Sequence, residues 1–495
     1  MEECRIFSFN RNDLLVLASY NLKRAEHSGH NERMVITVGK FRFFLALLIG
    51  KALEWALRVV IGRGTNKPGD VMLKICPDAL SRFQLPDLVI CVTGTNGKTS
   101  TSNLVSHLLR TAGLRVVNNA KGSNMAPGLV TALASGAALS GRVRADAVVL
   151  EVDERSSQFI YPRLVPTYIL CTNLFRDSIK RNGHSEFIFD KIEKYLPQNT
   201  TLLLNGNDAI SGMLGAQTNK RVFFAVDRTG QSTETCVNNV CDAMSCPQCH
   251  RPLHYDFYHY HHIGRPHCGC GFQLPPADYY ADGVDYGAGA FIFHDKDGVE
   301  VSLPFAEGNL FNVFNVTAAA AVCRMAGITL QQIAEGVRSF SATMGRFEAE
   351  QAGKSRVVTM LFKNQNPISG SQSLAYLSHL AGNKDVVLIV TDSKDRVHGH
   401  EDISWLYDTD FEPLADPSVR RVVVGGSRCY DVGLRLVLAG VSPEKIVLYQ
   451  SYETLKQRLC QDIAGDGTVV VYFELYAMPI AKAVRQALVQ EADAT

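Results

Sequence analysis

The residues whose types and spacing most clearly suggest a chemical role are Gly97, Lys98 and Thr99, in the stretch CVTGTNGKT. Glycine lets backbone N–H groups approach an anion, a lysine ammonium can reach the terminal phosphates of a nucleotide, and a threonine hydroxyl suits Mg²⁺. The usual phosphate loop, G-x-x-x-x-G-K-[ST], requires a glycine at position 92, where this chain has Val92. We therefore predict a phosphate-binding loop of a particular type, made of Gly94, Thr95, Asn96, Gly97, Lys98 and Thr99.

Four cysteines in two close pairs form a second candidate site. Cys246 and Cys249 precede Cys268 and Cys270 with eighteen residues between the pairs, close to the C-x₂-C-x₁₅₋₂₀-C-x₂-C pattern of zinc sites. Four thiolates complete a tetrahedral shell without an open position, so such a site is structural. The second pair has one intervening residue, and His267 is therefore an alternative to Cys268 as the third ligand. The pattern predicts bound zinc, with reduced cysteines and no metal as the alternative.

The elements that must position the glycine loop are short apolar runs rich in β-branched residues. They cover 87–94, 145–154, 166–174 and 200–208, and each ends in polar residues, which is typical of buried parallel strands. The polar ends gather at the carboxyl edge of the sheet, where α/β proteins bind ligands. A helix is predicted over 98–113, so its free N–H groups and positive dipole end face the phosphates.

Changes in composition along the chain indicate several domains. Residues 240–275 are rich in Cys, His and Tyr, and a second series of apolar strands and helices begins after residue 345. We predict an α/β protein in which a central P-loop domain carries an inserted zinc ribbon and precedes a smaller Rossmann-like domain. The expected parts are a disordered or wrongly started lead (1–40), a helical leader (41–85), the central domain (86–345, with the insertion at 240–275) and the C-terminal domain (346–495).

The bulk composition excludes some classes of function. Of the 495 residues, 46% are hydrophobic and 20% charged, as in soluble globular proteins. A formal charge of +1 argues against a general nucleic-acid binder, and thirteen cysteines without a leader peptide suggest reduced thiols. The most apolar stretch, 41–64, is interrupted by Lys51, Glu54 and Arg58. It predicts an amphipathic helix packed on the protein rather than a membrane span, with loose contact with a membrane surface as the alternative.

The T-G-T-N-G-K-[ST] loop resembles that of the Mur ligase superfamily, the ATP-dependent amide-forming enzymes of peptidoglycan and folylpolyglutamate synthesis. The resemblance implies that Glu151, in LEVDE, holds Mg²⁺ together with Thr99. It also implies that Asn312 and Asn315, in GNLFNVFN, lie near the adenine and that Arg346, in MGRFE, approaches the γ-phosphate. A solvated acidic turn for Glu151 and a capping or packing role for the asparagines are the alternatives.

Four further features narrow the resemblance to the MurT family. These are the segments 62–80, 172–183 and 391–414 and the position of the cysteine insertion. MurT is the ligase subunit of lipid II isoglutaminyl synthase and pairs with GatD, a glutamine amidotransferase. The resemblance implies a cytoplasmic heterodimer at the inner membrane face that uses ATP and Mg²⁺, carries a structural Zn²⁺ and amidates the D-glutamate α-carboxyl of lipid II to D-isoglutamine.

The resemblance also assigns a role to the segment EDISWLYD. The family's C-terminal domain is expected to donate an aspartate that completes the Cys-His pair of the partner, as a carboxylate does in other triads. Asp402 is the first choice for this residue and Asp408 the second, with a solvated acidic loop as the alternative.

The chain departs from the family pattern at 178–184, 363–367 and 472–479, and these differences bear on substrate contacts. One competing function is a stand-alone ligase of the Mur or folylpolyglutamate type acting on another carboxylate. The other is a zinc-ribbon P-loop switch linked to nucleic acid, against which the DISWLYDTDFE segment counts.

Overall fold

The computed structural model describes residues 31–61, 66–120, 123–177, 183–305, 310–340, 347–362, 366–392, 402–463, 466–474 and 477–494. The chain divides into two compact units. The helical unit comprises Met1–Leu85 and Lys121–Arg144, and the larger unit comprises Pro86–Ala120 and Ala145–Thr495.

The helices of the described residues are α1 (Asn31–Ile61), α2 (Lys67–Ile75), α3 (Lys98–Thr111), α4 (Ala126–Gly136), α5 (Ser157–Ile160), α6 (Ser185–Glu193), α7 (Leu310–Met325), α8 (Leu330–Ser339), α9 (Pro367–Ala375), α10 (Trp405–Asp408), α11 (Cys429–Leu438), α12 (Tyr452–Asp462) and α13 (Met478–Ala494). The strands are β1 (Leu88–Thr93), β2 (Val116–Asn118), β3 (Ala147–Glu151), β4 (Tyr168–Cys171), β5 (Thr201–Asn205), β6 (Arg221–Val226), β7 (His254–Tyr260), β8 (Ile263–His267), β9 (Tyr279–Asp285), β10 (Ala290–His294), β11 (Glu300–Pro304), β12 (Phe347–Ala352), β13 (Ser355–Leu361), β14 (Lys384–Ile389), β15 (Val419–Gly425), β16 (Ile446–Tyr449) and β17 (Gly467–Phe473).

In the helical unit, α1, α2 and α4 pack closely because small residues lie at their contacts. A Cβ on Gly50 of α1 would lie 2.4 Å from the sulfur of Met72 in α2. A Cβ on Gly69 of α2 would lie 1.8 Å from the carbonyl oxygen of Pro127 in α4, and the Gly69 N–H donates to Thr131 Oγ1 at 2.9 Å. Glycine at both positions lets the helix backbones approach to a distance that larger residues would prevent.

The larger unit contains a nine-stranded sheet in the order β11-β10-β9-β6-β5-β4-β1-β3-β2. Neighbouring strands from β9 through β6, β5, β4, β1 and β3 to β2 pair in parallel. Strands β10 and β11 extend the sheet beyond β9 with antiparallel pairs. The side chains of Ile90 and Val92 enter a core that also contains the buried faces of α3, α7 and α8. Strand β1 lies between β3 and β4, so the segments that follow all three strands meet at one edge.

The cysteine-rich insertion lies between β6 and β9 in the chain and contains the antiparallel hairpin β7–β8. Its turn places His261 at φ 48°. A small core of its own surrounds the hairpin, made of Ala209, Ala243, Cys246, Leu253, Cys268 and Phe272. The insertion therefore has a small core of its own, and its residues Val240, Tyr260 and Ile263 also pack into the core of the main sheet.

The C-terminal sheet has the order β12-β13-β17-β14-β15-β16, and every pair except β12–β13 is parallel. Alternate residues of β14 enter different cores: Val386 and Leu388 face one, and Val387 and Ile389 face the other. Burial on both faces explains the continuous apolar strand sequences.

The structure contains the strands and helices predicted around the glycine loop and in the C-terminal domain. Residues 121–144 group with the helical unit, although the sequence analysis assigned them to the central domain. The expected lead falls mostly on residues 1–30, outside the described residues, and α1 begins at Asn31. No helix among the described residues has the length and apolar character needed to cross a membrane.

A pair of glycines in the C-terminal domain tests the packing at the end of β15. Gly426 has φ 121° and its Cβ would lie 2.0 Å from the Val390 carbonyl oxygen, whereas Gly382 has φ 72° and open space around it. Alanine at Gly382 should lower the free energy of unfolding by about 1 kcal/mol through backbone strain alone. Gly426→Ala should cost roughly a further 1–3 kcal/mol because of the overlap. Urea unfolding of the two variants measures the difference, and equal losses would show that the Val390 carbonyl moves aside freely.

Candidate active site

The glycine loop joins β1 to α3 and requires glycine at two positions. Gly94 has φ 121° and Gly97 has φ 84°, values that other residues rarely adopt. A Cβ would lie 2.3 Å from Thr172 Oγ1 at Gly94 and 2.4 Å from Asn315 Oδ1 at Gly97. Glycine is therefore required at both positions, by the backbone conformation and by the close approach of neighbouring side chains.

The segment after β4 holds the loop in place. The N–H of Thr95 donates to the Asn173 carbonyl oxygen at 2.8 Å, and the N–H of Asn96 donates to Asn173 Oδ1 at 3.0 Å. The Phe175 N–H donates to Thr95 Oγ1 at 2.9 Å, and Thr172 Oγ1 donates to the Asn96 carbonyl oxygen at 2.6 Å. This segment lies within 172–183, which the sequence related to the MurT family without indicating its role, and the structure shows that it fixes the loop.

The Lys98 side chain lies against the loop and forms a buried ion pair. Its Nζ lies 2.9 Å from Glu154 Oε1 and also donates to the carbonyl oxygens of Gly94 and Thr95. Burial works to lower the pKa of Lys98, but the neighbouring carboxylates, first among them Glu154, outweigh it and the net shift is upward. Burial raises the pKa of Glu154, and the Lys98 ammonium opposes that rise. The pair keeps the lysine charged at the point where phosphate charge must be balanced.

Sequence reasoning missed Glu154. Its only signal is its place in LEVDE, where Glu151, Asp153 and Glu154 follow one strand and any of them could face the loop. Asp153 and Glu154 are both buried but have different partners: Asp153 Oδ1 accepts from the Arg155 N–H and caps the 3₁₀ turn Glu154–Ser156, whereas Glu154 pairs with Lys98.

Glu151 ends β3 and pairs in register with Val92 of β1. Asn119 fixes its backbone on both sides: Glu151 N–H donates to Asn119 Oδ1 at 2.8 Å, and Asn119 Nδ2 donates to the Glu151 carbonyl oxygen at 2.9 Å. Thr99 lies in the first turn of α3, half-buried. A carboxylate and a hydroxyl at the same sheet edge are oxygen donors of the kind that Mg²⁺ prefers, so the residues fit this ion.

The two predicted asparagines lie near the start of α7 and have different surroundings. Asn315 Oδ1 accepts a hydrogen bond from Thr101 Oγ1 at 3.1 Å and lies against Gly97, so it contacts the loop directly. Asn312 lies one turn earlier and is half-buried. Arg346, the third residue expected near the nucleotide, lies outside the described residues.

The four cysteines of the insertion come together. The sulfurs of Cys246, Cys249, Cys268 and Cys270 all lie within 4.8 Å of one another, with two pairs 3.6 Å apart. A tetrahedral zinc site with Zn–S bonds near 2.3 Å places sulfurs roughly 3.8 Å apart, so the cluster fits this ion. His267 Nδ1 instead lies 3.2 Å from Asp256 Oδ1. The geometry favours Cys268 over His267 as the third ligand.

The two candidate triad aspartates have different partners. Asp402 Oδ1 accepts hydrogen bonds from the N–H of Ser404 at 3.2 Å and its hydroxyl at 2.6 Å, while Oδ2 is buried without a hydrogen-bond partner among the described residues. Asp408 lies 3.9 Å from Nη1 of Arg176. Burial raises the pKa of Asp408, the Arg176 guanidinium opposes the rise, and the charges of Asp242 and Asp402 add to it. The two candidates therefore lie close enough to influence each other.

Arg176 links the loop-holding segment to the insertion and to the C-terminal domain. Its guanidinium Nε lies 2.5 Å from Asp242 Oδ1, and its backbone N–H donates to Asp242 Oδ2 at 2.9 Å. Asp242 has a side chain that is 3% exposed, so this ion pair is shielded from solvent on one side. Because the same guanidinium faces Asp408, one side chain connects three parts of the larger unit.

A second contact lies beside it. Asn238 Nδ2 and the N–H of Asn239 both donate to the Asp410 carboxylate at 2.7 Å, and Asn239 Nδ2 donates to Glu412 at 3.2 Å. The signature DISWLYDTDFE thus contacts the insertion through its second half, which sequence reasoning could not foresee.

Comparison with known proteins agrees with this architecture. Residues 92–239 match the Mur ligase middle domain, and residues 363–477 match the MurT ligase C-terminal domain. The subunit MurT of lipid II isoglutaminyl synthase (glutamine-hydrolyzing) from Staphylococcus aureus strain N315 is 30% identical over 415 residues, which covers 83% of this chain and 91% of the relative. The same subunit from Streptococcus pneumoniae strain R6 is 29% identical and covers 84% and 92%.

Solved structures show the same fold at lower identity. A pseudomurein peptide ligase type C from Methanothermus fervidus has a TM-score of 0.62 at 18% identity and covers 84% of this chain and 83% of its own. MurF ligase from Thermotoga maritima, solved in complex with ADP, has a TM-score of 0.57 at 17% identity and covers 86% and 85%. The predicted α/β fold of the Mur ligase type is confirmed, and with 30% identity over 91% of a relative the chain belongs to the MurT family of Mur ligases.

Proposed function

We propose that this chain is the ligase subunit of a lipid II isoglutaminyl synthase. It uses ATP to activate the α-carboxyl of D-glutamate in the stem peptide as an acyl phosphate. Ammonia from a GatD-type glutaminase then attacks the acyl carbon and displaces inorganic phosphate, which gives D-isoglutamine. The observation that carries the proposal is the joining, through Arg176, of a phosphate loop to the acidic segment around Asp402 and Asp408.

The loop supplies the charge stabilisation for phosphoryl transfer. A carboxylate is a poor acyl donor, so its oxygen must first take the γ-phosphoryl group of ATP, with ADP as the leaving group. The N–H groups at the start of α3 and the Lys98 ammonium are placed to stabilise the charge that develops on the transferring group. Mg²⁺, when bound, neutralises phosphate charge, and Thr99 and Glu151 are the residues that would hold it. Asn312 and Arg346 remain predicted contacts to adenine and γ-phosphate.

Glu154 has the task of holding Lys98 in position. A long lysine side chain loses rotamer freedom when it is fixed, and the ion pair with Glu154 compensates part of that loss before the nucleotide arrives. The pair also keeps the ammonium protonated despite burial. Glu154 is thus a positioning residue that acts through Lys98.

Asp402 is the better candidate for completing the glutaminase triad of a partner. One carboxylate oxygen is fixed by Ser404, and the other has no hydrogen-bond partner among the described residues although it is buried. Buried polar atoms are normally hydrogen-bonded, and a histidine N–H from the partner would satisfy this one. Asp408 faces Arg176, which makes its carboxylate the poorer hydrogen-bond acceptor for an incoming histidine.

The zinc ion proposed at the cysteine cluster has a structural role, because four thiolates leave no open position. The insertion contacts Asp410 and Glu412 through Asn238 and Asn239, so holding the insertion also supports the acidic segment. A substrate carried on a lipid further implies that the enzyme works at the inner face of the cytoplasmic membrane as a peripheral protein.

Replacing Lys98 alone and together with Glu154 separates charge balance from catalysis. Lys98→Met should abolish ammonium-driven ADP release and lower the free energy of unfolding by about 3–5 kcal/mol, because Glu154 is left buried without its partner. The double variant Lys98→Met/Glu154→Gln should recover most of the stability but none of the turnover. Turnover by the double variant within tenfold of the unmodified protein would contradict the role given to Lys98.

The metal is tested with two neighbouring residues. Cys268→Ser should release the zinc measured by atomic absorption in the purified chain, whereas His267→Gln should keep about one zinc per chain. Loss of metal from the His267 variant and its retention in the Cys268 variant would assign the ligands the other way round.

The proposed reaction is tested by amidation of lipid II, followed by mass spectrometry, with the chain and a GatD-type glutaminase. The unmodified pair should use either glutamine or ammonium as the nitrogen source. Asp402→Asn should lower glutamine-dependent amidation by about 10⁴-fold, as in other triads, and leave ammonium-dependent amidation within a few fold. Asp408→Asn should retain most glutamine use. A pair that uses ammonium but never glutamine would point to the stand-alone ligase instead.

A further inference from the structure

Helix α1 exposes a continuous apolar stripe. Phe41, Phe44, Leu45, Leu48, Trp55 and Val59 are each at least 38% exposed, with Trp55 at 70%, Val59 at 67% and Phe41 at 64%. The spacing of three, four or seven residues places these side chains on one side of the helix. A single exposed apolar residue needs no explanation, but a stripe of this length does.

The stripe is distinct from the face by which the helix packs. Phe43, Ala46, Leu47 and Gly50 are buried within the helical unit, and the Phe43 and Phe83 rings meet edge to face at 5.2 Å. The helix is therefore anchored in its unit by one apolar face and presents a second one outward.

Basic residues dominate the charge of this unit. Residues 39–59, 66–85 and 123–144 contain nine basic and three acidic residues, whereas the whole chain has a formal charge of only +1. Two of the acids are already paired: Glu54 is buried and lies 2.5 Å from Arg58, and Asp78 lies 2.6 Å from Arg82. The net field of the helical unit favours a negatively charged surface.

We propose that α1 lies in the interface of a bilayer containing anionic phospholipid, with its apolar stripe at the boundary between headgroups and acyl chains. A helix with aromatic and aliphatic residues on one face and a basic setting is the form that binds membrane surfaces in this way. From Phe41 to Val59 the stripe measures roughly 28 Å at 1.5 Å per residue. Because α1 also carries Lys51, Glu54 and Arg58, the helix lies along the surface rather than across the bilayer. This inference deepens the proposed function, since a lipid-linked acceptor is reached at that surface.

The bilayer is a better occupant than a protein groove. Lys40, Arg42 and the net positive charge of the unit complement the anionic surface of such a bilayer. Trp55 lies near one end of the stripe and Phe41 at the other, and Trp, Phe and Leu are the residues that form the apolar face of interfacial helices.

The test uses the full chain with vesicles and needs no turnover. The chain contains two tryptophans, and Trp405 is buried at 5% exposure, so brominated phospholipid should quench only Trp55. Sedimentation with vesicles of phosphatidylcholine and phosphatidylglycerol at 7:3 should show at least tenfold tighter binding than with phosphatidylcholine alone. Trp55→Phe should lose the quenching but keep most of the sedimentation.

Charge insertion supplies the matched control. Phe44→Glu with Leu48→Glu should lower vesicle binding at least tenfold, whereas Val299→Glu, an exposed valine at 53% in the larger unit, should leave it unchanged. Equal losses in both variants, or no binding to anionic vesicles, would overturn the inference. A lipid-free dimer that the double variant separates would assign the stripe to a second copy of the chain and overturn it as well. Vesicle binding without amidation of lipid II would refute the proposed function and leave this inference standing.

Discussion

The arrangement of the candidate site depends on one contact, the hydrogen bonding of the glycine loop to the segment that follows β4. Parallel neighbours β1 and β4 end at the same edge, so Asn173 can accept and fix the N–H groups of Thr95 and Asn96. That fixes the loop shape, which in turn requires glycine at Gly94 and Gly97. The nucleotide loop is thus shaped by tertiary contacts as well as by its own sequence.

Arg176, in the same segment, connects the loop to two other parts of the larger unit. Its guanidinium pairs with Asp242 in the insertion and faces Asp408 in the C-terminal domain. A planar cation with several donors can serve two carboxylates at once, which a lysine could not do with the same geometry. The acidic C-terminal segment is therefore positioned with reference to the glycine loop.

Local features of this fold could be predicted from the sequence. Apolar β-branched runs such as 87–94 and 200–208 could be assigned to buried parallel strands because burial on both faces leaves no polar alternation. The spacing of the glycines predicted the loop between β1 and α3, and the spacing of the cysteines predicted the four-cysteine cluster, because both patterns follow from local geometry. These are features in which neighbouring residues act together.

The parts that could not be predicted depend on contacts between distant residues. Arg176 and Asp242 are 66 positions apart, and Lys98 and Glu154 are 56 apart, so neither pair has a local signal. The same holds for the grouping of 121–144 with the N-terminal helices, which rests on the close approach of Gly69 to Pro127. Which of Cys268 and His267 faces the other ligands is set by the path of the hairpin rather than by spacing.

The insertion connects two paired strands of the main sheet, and this has a consequence for its evolution. Strands β6 and β9 pair in parallel, and a parallel pair needs a crossover that returns the chain to the opposite edge. A helix usually makes this return, but here the cysteine-rich module occupies the connection. The module is thus the crossover connection itself and not an addition to a loop. A homologue without it would need another connection between β6 and β9, or would lose the strands β9, β10 and β11 from the sheet.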